Sequence, residues 1–246
     1  MSAASATQAP FFSIITVCYN SEKTIRDTLE SVAAQTVRDF EYLIIDGGSS
    51  DATLDIVRSY EDRLPKDSLT VVSEPDNGVY DAMNKGISYA KGKLVGIINS
   101  DDWYEKDTLE KVQNAYQGNR YEVIYGMLDL YNPDGTLRQT HFSRHEDLDK
   151  MMIGHPTNFV TLDAYRDLGT YNIQYRYAAD QDLMLGYYLG KKVTFTPVKE
   201  RLASMRLGGI SDTIDAGLEA DLVLYNRRVI SWWELQKRKY RAVFRR

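Results

Sequence analysis

Over its first hundred residues the chain alternates short apolar runs with amphipathic stretches, and nothing else in the sequence narrows the fold as much. Phe12–Cys18 has the aliphatic and β-branched content of a buried strand. Glu22–Gln35 follows, with Ile25, Leu29 and Val32 on one helical face. The alternation continues with a strand at Tyr42–Ile45, a helix over Ala52–Tyr60 capped by Asp51, and a strand at Leu69–Ser73. A helix over Tyr80–Ala90 and a strand at Leu94–Ile98 complete it. Strands separated by single helices and short connections form βαβ units. The expected class is α/β: a Rossmann-like, mostly parallel sheet with helices on both faces.

The second half is less regular. Tyr121–Tyr131 and Thr136–Phe142 flank the turn cluster Asn132-Pro133-Asp134-Gly135, which predicts a hairpin. Helical patterns follow at Asp147–Ile153, Leu162–Leu168 and Ala179–Leu189, then strand-like Lys192–Thr196 and Arg201–Met205. Asp215–Phe244 reads as one long final helix. With no internal repeat and no low-complexity linker, the expectation is one domain over residues 1–211 and a helical C-terminal extension over 212–246.

Four polar clusters punctuate the first half, each at or just after a strand exit: Tyr19-Asn20-Ser21-Glu22, Asp46 to Asp51, Glu74-Pro75-Asp76-Asn77-Gly78, and Asn99-Ser100-Asp101-Asp102. In a parallel sheet such exits share one edge, where open α/β sheets bind ligands. Asp101-Asp102 offers paired carboxylates suited to a hard divalent cation shared with substrate phosphates. The competing reading is a helix cap ahead of Lys106–Tyr116. Gly47-Gly48 lacks the spacing of dinucleotide-binding and P-loop motifs, which sets aside a nicotinamide dehydrogenase or P-loop kinase.

The segments Ser13–Asn20, Ile44–Asp51, Gly78 to Asn84-Lys85-Gly86, and Asn99–Asp102 together resemble family 2 glycosyltransferases of the GT-A fold. The resemblance runs from about Phe12 to Ser211. It implies inverting transfer of a sugar from a nucleoside-diphosphate donor, UDP-linked by preference, with Mn²⁺ or Mg²⁺. By that likeness Tyr19 and Glu22 lie beside the base and ribose, and Asp46 recognises the nucleobase. Asn84 and Lys85 belong to the donor site, Asp101 holds the ribose, and Asp102 holds the metal. Asn99 stands where the family often has a further Asp and, being uncharged, is left out of the metal shell.

The candidate base lies in Tyr177-Ala178-Ala179-Asp180-Gln181-Asp182-Leu183. The family often has Glu-Asp here; this chain has Ala179-Asp180, so Asp180 is matched and its acidic neighbour is not. Asp182 is two residues on, and positions i and i+2 do not share a helix face. Asp180 is therefore the expected base and Asp182 the secondary candidate. Similar sequences carry a His-Pro turn before this segment, which makes His155 a candidate near the acceptor or diphosphate. His141 and His145 read as surface residues. Arg206, ahead of Leu207-Gly208-Gly209-Ile210-Ser211, is expected to fold over the diphosphate, since a guanidinium grips phosphate with two parallel hydrogen bonds.

Charge sets the tail apart. Of the net −5, Arg227–Arg246 carries eight Lys or Arg against one acid, Glu234, which leaves an acidic body. On a helical wheel Val229, Trp232, Trp233, Tyr240, Val243 and Phe244 fall on one side. Arg227, Arg238, Arg241 and Arg245 lie opposite, flanked by Arg228, Lys237 and Lys239. An aromatic stripe beside basic residues fits an anionic membrane surface, with a homodimer contact as the alternative. Nucleic acid is not expected, because the acidic body repels it. A membrane-bound tail makes a lipid-linked acceptor a natural partner, a glycan the other.

Cys18, the single cysteine, excludes an intrachain disulfide and reads as an inert buried thiol. No apolar run reaches membrane-spanning length, and Met1–Pro10 lacks the apolar core of a signal peptide. The expected location is cytoplasmic, peripheral to the inner face of the plasma membrane. Two other functions compete: a nucleotidyltransferase, whose first loop should be rich in Gly, Lys and Arg, and a nucleotide-sugar-binding protein without catalysis.

Overall fold

The computed structural model describes residues 9–209 and 213–244. The proposed boundary at 211/212, most of the Met1–Pro10 segment, Ile210-Ser211 and Arg245 lie outside the described residues. The strands are β1 (Phe12–Cys18), β2 (Phe40–Asp46), β3 (Leu69–Ser73), β4 (Leu94–Asn99), β5 (Trp103–Tyr104), β6 (Glu122–Tyr131), β7 (Leu137–His141), β8 (Phe159–Thr161) and β9 (Thr194–Arg206). The helices are α1 (Ile25–Ala33), α2 (Thr53–Arg58), α3 (Val79–Tyr89), α4 (Thr108–Ala115), α5 (Leu162–Leu168), α6 (Ala179–Gly190), α7 (Ile214–Asn226) and α8 (Trp232–Phe244).

Both β1 and β2 are buried at every position, the mark of a sheet covered on two faces. The strands form one sheet in the order β3-β2-β1-β4-β8-β6-β9-β5, with β7 added to β6. β3, β2, β1 and β4 run parallel, β8 runs antiparallel to both neighbours, and β9 is parallel to β6. The mostly parallel α/β class is therefore as read. After β1 the chain moves outward through β2 and β3, then returns to place β4 on the other side of β1. That reversal opens a crevice at the carboxyl ends of β1 and β4.

Neighbouring residues on one strand serve opposite faces. Ile15, Leu43 and Ile45 pack with Tyr80 and Met83 of α3 and with α6, whereas Ile14, Tyr42 and Ile44 pack with Ile25 and Leu29 of α1. Gly86 lets α3 lie close to the sheet: a Cβ there would come within 2.5 Å of Ile15.

Several elements differ from expectation. Lys192–Thr196 and Arg201–Met205 belong to one strand, β9, whose register against β6 shifts between Pro197 and Arg201. Asp147–Ile153 holds no α-helix, only a 3-10 turn at His145–Asp147 leading into it. The long final helix is two helices. Arg228 takes a left-handed backbone (φ 60°), the Val229 N–H returns to the Leu224 carbonyl, and Ser231 starts α8 by accepting from the Glu234 N–H at 3.3 Å. The break alters the wheel, because Arg227 and Arg238 turn inward to acidic partners. Val223 and Leu224 of α7 join the same core as α3 and α6.

Candidate active site

Strand register levels the polar clusters at one edge. Cys18 pairs with Asp46, Asp46 with Ser73, and Val17 with Asn99, so the loops that follow leave the sheet together. Side chains tie them. The Ser21 and Ser100 hydroxyls meet at 2.8 Å between the first and fourth loops, and Thr28 Oγ1 donates to the Asn99 and Asp102 carbonyls at 3.2 and 2.6 Å. Asn20 reaches the second loop, its N–H bonding Ser49 Oγ at 2.8 Å and its Oδ1 accepting from the Ser50 N–H at 2.9 Å. Its left-handed backbone (φ 48°) is one that Asn tolerates better than most residues.

Asp46 has no exposed surface and organises the second loop. Its carboxylate accepts from Ser49 Oγ (2.5 Å), Ser73 Oγ (2.6 Å), and the N–H groups of Ser49 (2.9 Å) and Gly48 (3.1 Å). Burial opposes its charge, but the hydroxyls and N–H groups outweigh it and hold the carboxyl below its ordinary value. Those donors occupy the group expected at the nucleobase. The carboxylate that faces Gly47 is Asp76, a member of the third polar cluster with no role of its own in the sequence analysis. A Cβ on Gly47 would meet Asp76 Oδ2 at 2.7 Å and the Tyr19 ring at 3.4 Å. Gly47 therefore lets an exposed aromatic ring and a carboxylate close in over its backbone. Cys18, beside Asp46, is a buried thiol whose pKa is raised by burial and by that carboxylate, in keeping with an inert role.

Glu22 sits at the crevice rim with its side chain engaged. Its Oε2 accepts from the Ala52 N–H at 3.1 Å, while its own N–H reaches Asp51 Oδ2 at 3.1 Å. Asp51 also accepts from Thr53 N–H and Oγ1, but the N-cap of α2 is Ala52 and not the expected Asp51, which folds the turn just before it.

At the exit of β4, Asp102 is 1 % exposed and Asp101 is half-buried. Burial raises the pKa of both, and for Asp102 the Asp101 charge adds to it. Asp102 Oδ1 accepts from the Arg206 N–H at 3.2 Å. Beside them Asn99 Oδ1 is buried with no hydrogen-bond partner. Carboxylate and amide oxygens are the donor type that Mg²⁺ and Mn²⁺ take. Among the described residues no group of three or more His, Cys, Asp or Glu could hold a metal. Such a site would complete its shell with substrate oxygens.

Two donor-site candidates are engaged elsewhere. Asn84 is bound at both ends by the Tyr171 backbone, donating to its carbonyl at 2.8 Å and accepting from its N–H at 3.0 Å, which makes it a brace between α3 and the segment before α6. The Arg206 guanidinium pairs with Asp27 at 2.9 Å and covers the Trp103 ring at 5.3 Å, on the α1 side rather than over the crevice. Lys85 stays at the rim, where its ammonium holds the third loop through the Pro75 carbonyl (2.8 Å) and Glu74 (3.0 Å).

The C-terminal half supplies the other wall. Asp180 starts α6, and its Oδ1 accepts from the Tyr80 hydroxyl at 3.0 Å and the Gln181 N–H at 2.9 Å. Tyr80 opens α3 directly after the third loop, so the bond fixes Asp180 to the same sheet edge. The Tyr80 ring stacks on Tyr171 at 5.4 Å, and His155 meets Tyr171 at 6.3 Å. Both His155 nitrogens are buried without hydrogen-bond partners among the described residues, and burial lowers its pKa against the opposing pull of Asp180. Asp182 points elsewhere: a two-pronged ion pair with Arg227 at 2.7 and 2.8 Å consumes it. His145, expected at the surface, bonds the Tyr125 hydroxyl at 2.9 Å and stacks on Phe195 at 5.0 Å.

Among the described residues no helix is long and apolar enough to cross a membrane. The sequence matches the model of Glycosyl transferase family 2 over residues 13–183. A PGL/p-HBAD biosynthesis glycosyltransferase of Mycobacterium tuberculosis is 34% identical over 216 residues, covering 84% of this chain and 81% of that protein. Hyaluronan synthase of Pasteurella multocida is 30% identical over 184 residues, covering 72% of this chain and 19% of that protein. S. aureus TarS in complex with UDP-GlcNAc superimposes with a TM-score of 0.70 at 20% identity, over 92% of this chain and 69% of that one. Mannosyltransferase PcManGT from Pyrobaculum calidifontis, in complex with GDP-Man and Mn²⁺, gives 0.64 at 19% identity, over 90% and 64%. Motifs, sheet and relatives agree: the chain belongs to glycosyl transferase family 2 and is a glycosyltransferase of GT-A fold.

Proposed function

We propose that the protein transfers a sugar from a UDP-sugar to a hydroxyl of a glycan or lipid-linked acceptor, by single displacement with inversion at the anomeric carbon. The observation that carries this reading is the convergence on one sheet edge of an oxygen-rich pair, Asp101-Asp102, and a separately held carboxylate, Asp180. The first suits the leaving diphosphate and the second the incoming hydroxyl.

On the donor side Tyr19 stacks on the base over Gly47, with Asp76 accepting from its edge. Asp46 serves by shaping that loop, Glu22 by holding the rim near the ribose, and Lys85 by anchoring the third loop. Asn84 drops out of the donor contacts because its amide is consumed by Tyr171. Asp102 holds Mn²⁺ or Mg²⁺, with Asp101 beside it at the ribose and Asn99 Oδ1 as a further oxygen. When bound, the cation stabilises negative charge developing on the diphosphate, a contribution of several kcal/mol. Arg206 reaches the diphosphate only by leaving Asp27.

On the acceptor side, among the described residues both hydrogen bonds to Asp180 fall on Oδ1, which leaves Oδ2 for the acceptor proton. The hydroxyl oxygen gives that proton to Asp180 and bonds to the anomeric carbon. The bond from that carbon to the phosphate oxygen breaks, and its electron pair leaves with UDP. A positioned carboxylate contributes about 10²–10⁴-fold to such a step. His155, neutral and close to Asp180, lines this side.

The C-terminal helices supply a membrane contact in this reading. Trp232 and Trp233 are 50 and 71% exposed, and Arg228, Lys237, Lys239 and Arg241 are exposed near them. A protein held this way is peripheral on a cytoplasmic anionic face.

A thermal-shift panel of UDP, GDP, CDP and dTDP, each with and without Mn²⁺ or Mg²⁺, tests the donor side. Metal-dependent stabilisation by UDP that Asp102→Asn abolishes is expected, since a ligand selective for the native state raises its stability. Stabilisation by no nucleotide contradicts the proposal.

A further inference from the structure

The segment that carries Asp180 is held from the far side by α7. Glu219 Oε1 accepts from the Arg176 N–H at 2.9 Å, and its Oε2 accepts from the N–H groups of Tyr177 and Ala178 at 2.5 and 2.8 Å. Asn226 donates to the Tyr175 hydroxyl at 2.9 Å. Beyond Asp180, Arg227 grips Asp182 through Nε and Nη2 at 2.7 and 2.8 Å. Gly186 makes room for that guanidinium, since a Cβ there would meet it at 2.9 Å.

Physical chemistry gives these contacts a direction. Of these donors the Ala178 N–H belongs to the N-cap of α6, where the N–H groups have no intrahelical acceptor, and those of Arg176 and Tyr177 to the loop before it; a carboxylate facing all three gains charge-assisted bonds and the pull of the helix dipole. A side chain within the loop could satisfy such N–H groups. Glu219 instead comes from more than 40 residues later, so the bonds specify where α7 stands relative to the loop. Asp182 similarly gives its charge to a residue of the α7–α8 connection. The two grips bracket Asp180, two residues beyond Ala178 and two before Asp182.

We propose that Glu219 and Arg227 are positioning residues for the base: from α7 and the connection that follows it they clamp both sides of Asp180 and hold its carboxylate at Tyr80 and the acceptor hydroxyl. This rests on reading Asp180 as the base. The role extends the machinery beyond residue 183, where the match to the family model ends.

The test uses the full chain and release of UDP from UDP-GlcNAc, with water standing in for the acceptor, together with UDP affinity by calorimetry. Glu219→Ala is expected to lower kcat by about 10²-fold, the cost of a misplaced reacting group. Donor KM and UDP affinity should stay within about twofold, the signature of an interaction made in the transition state. Arg227→Ala is expected to lower kcat in the same way, and Glu219→Gln, which keeps an acceptor oxygen, and Arg227→Lys, which keeps the charge, should each retain more turnover than the alanine variant at the same position. Should Glu219→Ala fail to fold, Glu219→Gln and Arg227→Lys decide the question. A melting temperature that falls while kcat per folded molecule stays at the wild-type value overturns the proposal. Asp180→Asn, run alongside, separates the two readings. If it abolishes release while the Glu219 and Arg227 variants turn over normally, the clamp fails and the base stands. If Asp180→Asn turns over normally, the base assignment fails and takes the clamp with it.

Discussion

The phenol of Tyr80 donates to Oδ1 of Asp180 at 3.0 Å, joining the first turn of α3 to the first turn of α6 across 100 residues of sequence. The same hydroxyl lies 2.8 Å from the Tyr177 carbonyl. Burial and the Asp180 charge hold the phenol well above its ordinary pKa, so it remains a donor throughout the working range.

Removing that donor should cost turnover and spare binding. A hydrogen bond to a charged group is worth about 1.5–3 kcal/mol, so Tyr80→Phe is expected to lower kcat by roughly 10- to 100-fold. Steady-state kinetics with UDP-GlcNAc check this. A raised donor KM with unchanged kcat would move Tyr80 to the donor side.

The buried Asp101-Asp102 pair should cost stability when no cation is present. Burial raises both pKa values, so the unfolded chain gives up these protons more readily. The pair therefore opposes folding increasingly as pH rises from the ordinary carboxyl value, 3.8, through the raised values. Asp102→Asn should then melt higher than wild type at neutral pH in chelator, by about 2–4 °C for each kcal/mol relieved. It should also lose the gain that Mn²⁺ with UDP confers. Differential scanning calorimetry distinguishes the outcomes, and a lower melting temperature for the variant in chelator contradicts the account.

His155 predicts the opposite slope on the acid side. Its pKa is lowered by burial, so its contribution is complete above the ordinary histidine value of 6.5 and is lost as pH falls below it. Urea midpoints at pH 7.5 and 5.5 should therefore differ less for His155→Phe than for wild type. Equal differences would mean that the ring is solvated.

How far the sequence foretold the molecule follows from how local each signal is. The β1–β4 alternation was legible because buried parallel strands and amphipathic helices each write a period into neighbouring residues. The strand exits followed, since register levels them. β5 and β8 escaped notice, being two and three residues long, too short to carry a period. The break before α8 had a local signal that was passed over: Ser231-x-x-Glu234 is the capping-box pattern. The final employment of Asn84, Asp182 and Arg206 could not be read, because each is fixed by a partner from a remote segment. Asp76 and Tyr80 were hidden differently, one in a turn and the other on an apolar helix face.

The exposed tryptophans and lysines should bind anionic lipid. Sedimentation with vesicles of phosphatidylserine and phosphatidylcholine is expected to pull down wild type. Lys237→Glu with Lys239→Glu should weaken this by more than about tenfold, because each basic residue near such a surface is worth on the order of 1 kcal/mol. Trp232→Ser with Trp233→Ser should weaken it too. Equal recovery of wild type and both variants would assign the surface to another contact.

In this mechanism Asp180 takes the acceptor proton, and Asp180→Asn is the variant that isolates that step. The change keeps the Oδ1 acceptor for Tyr80 and removes the basicity. UDP release from the UDP-sugar donor should fall by about 10²–10⁴-fold, while calorimetry finds UDP affinity unchanged. Wild-type turnover in Asp180→Asn would contradict the account.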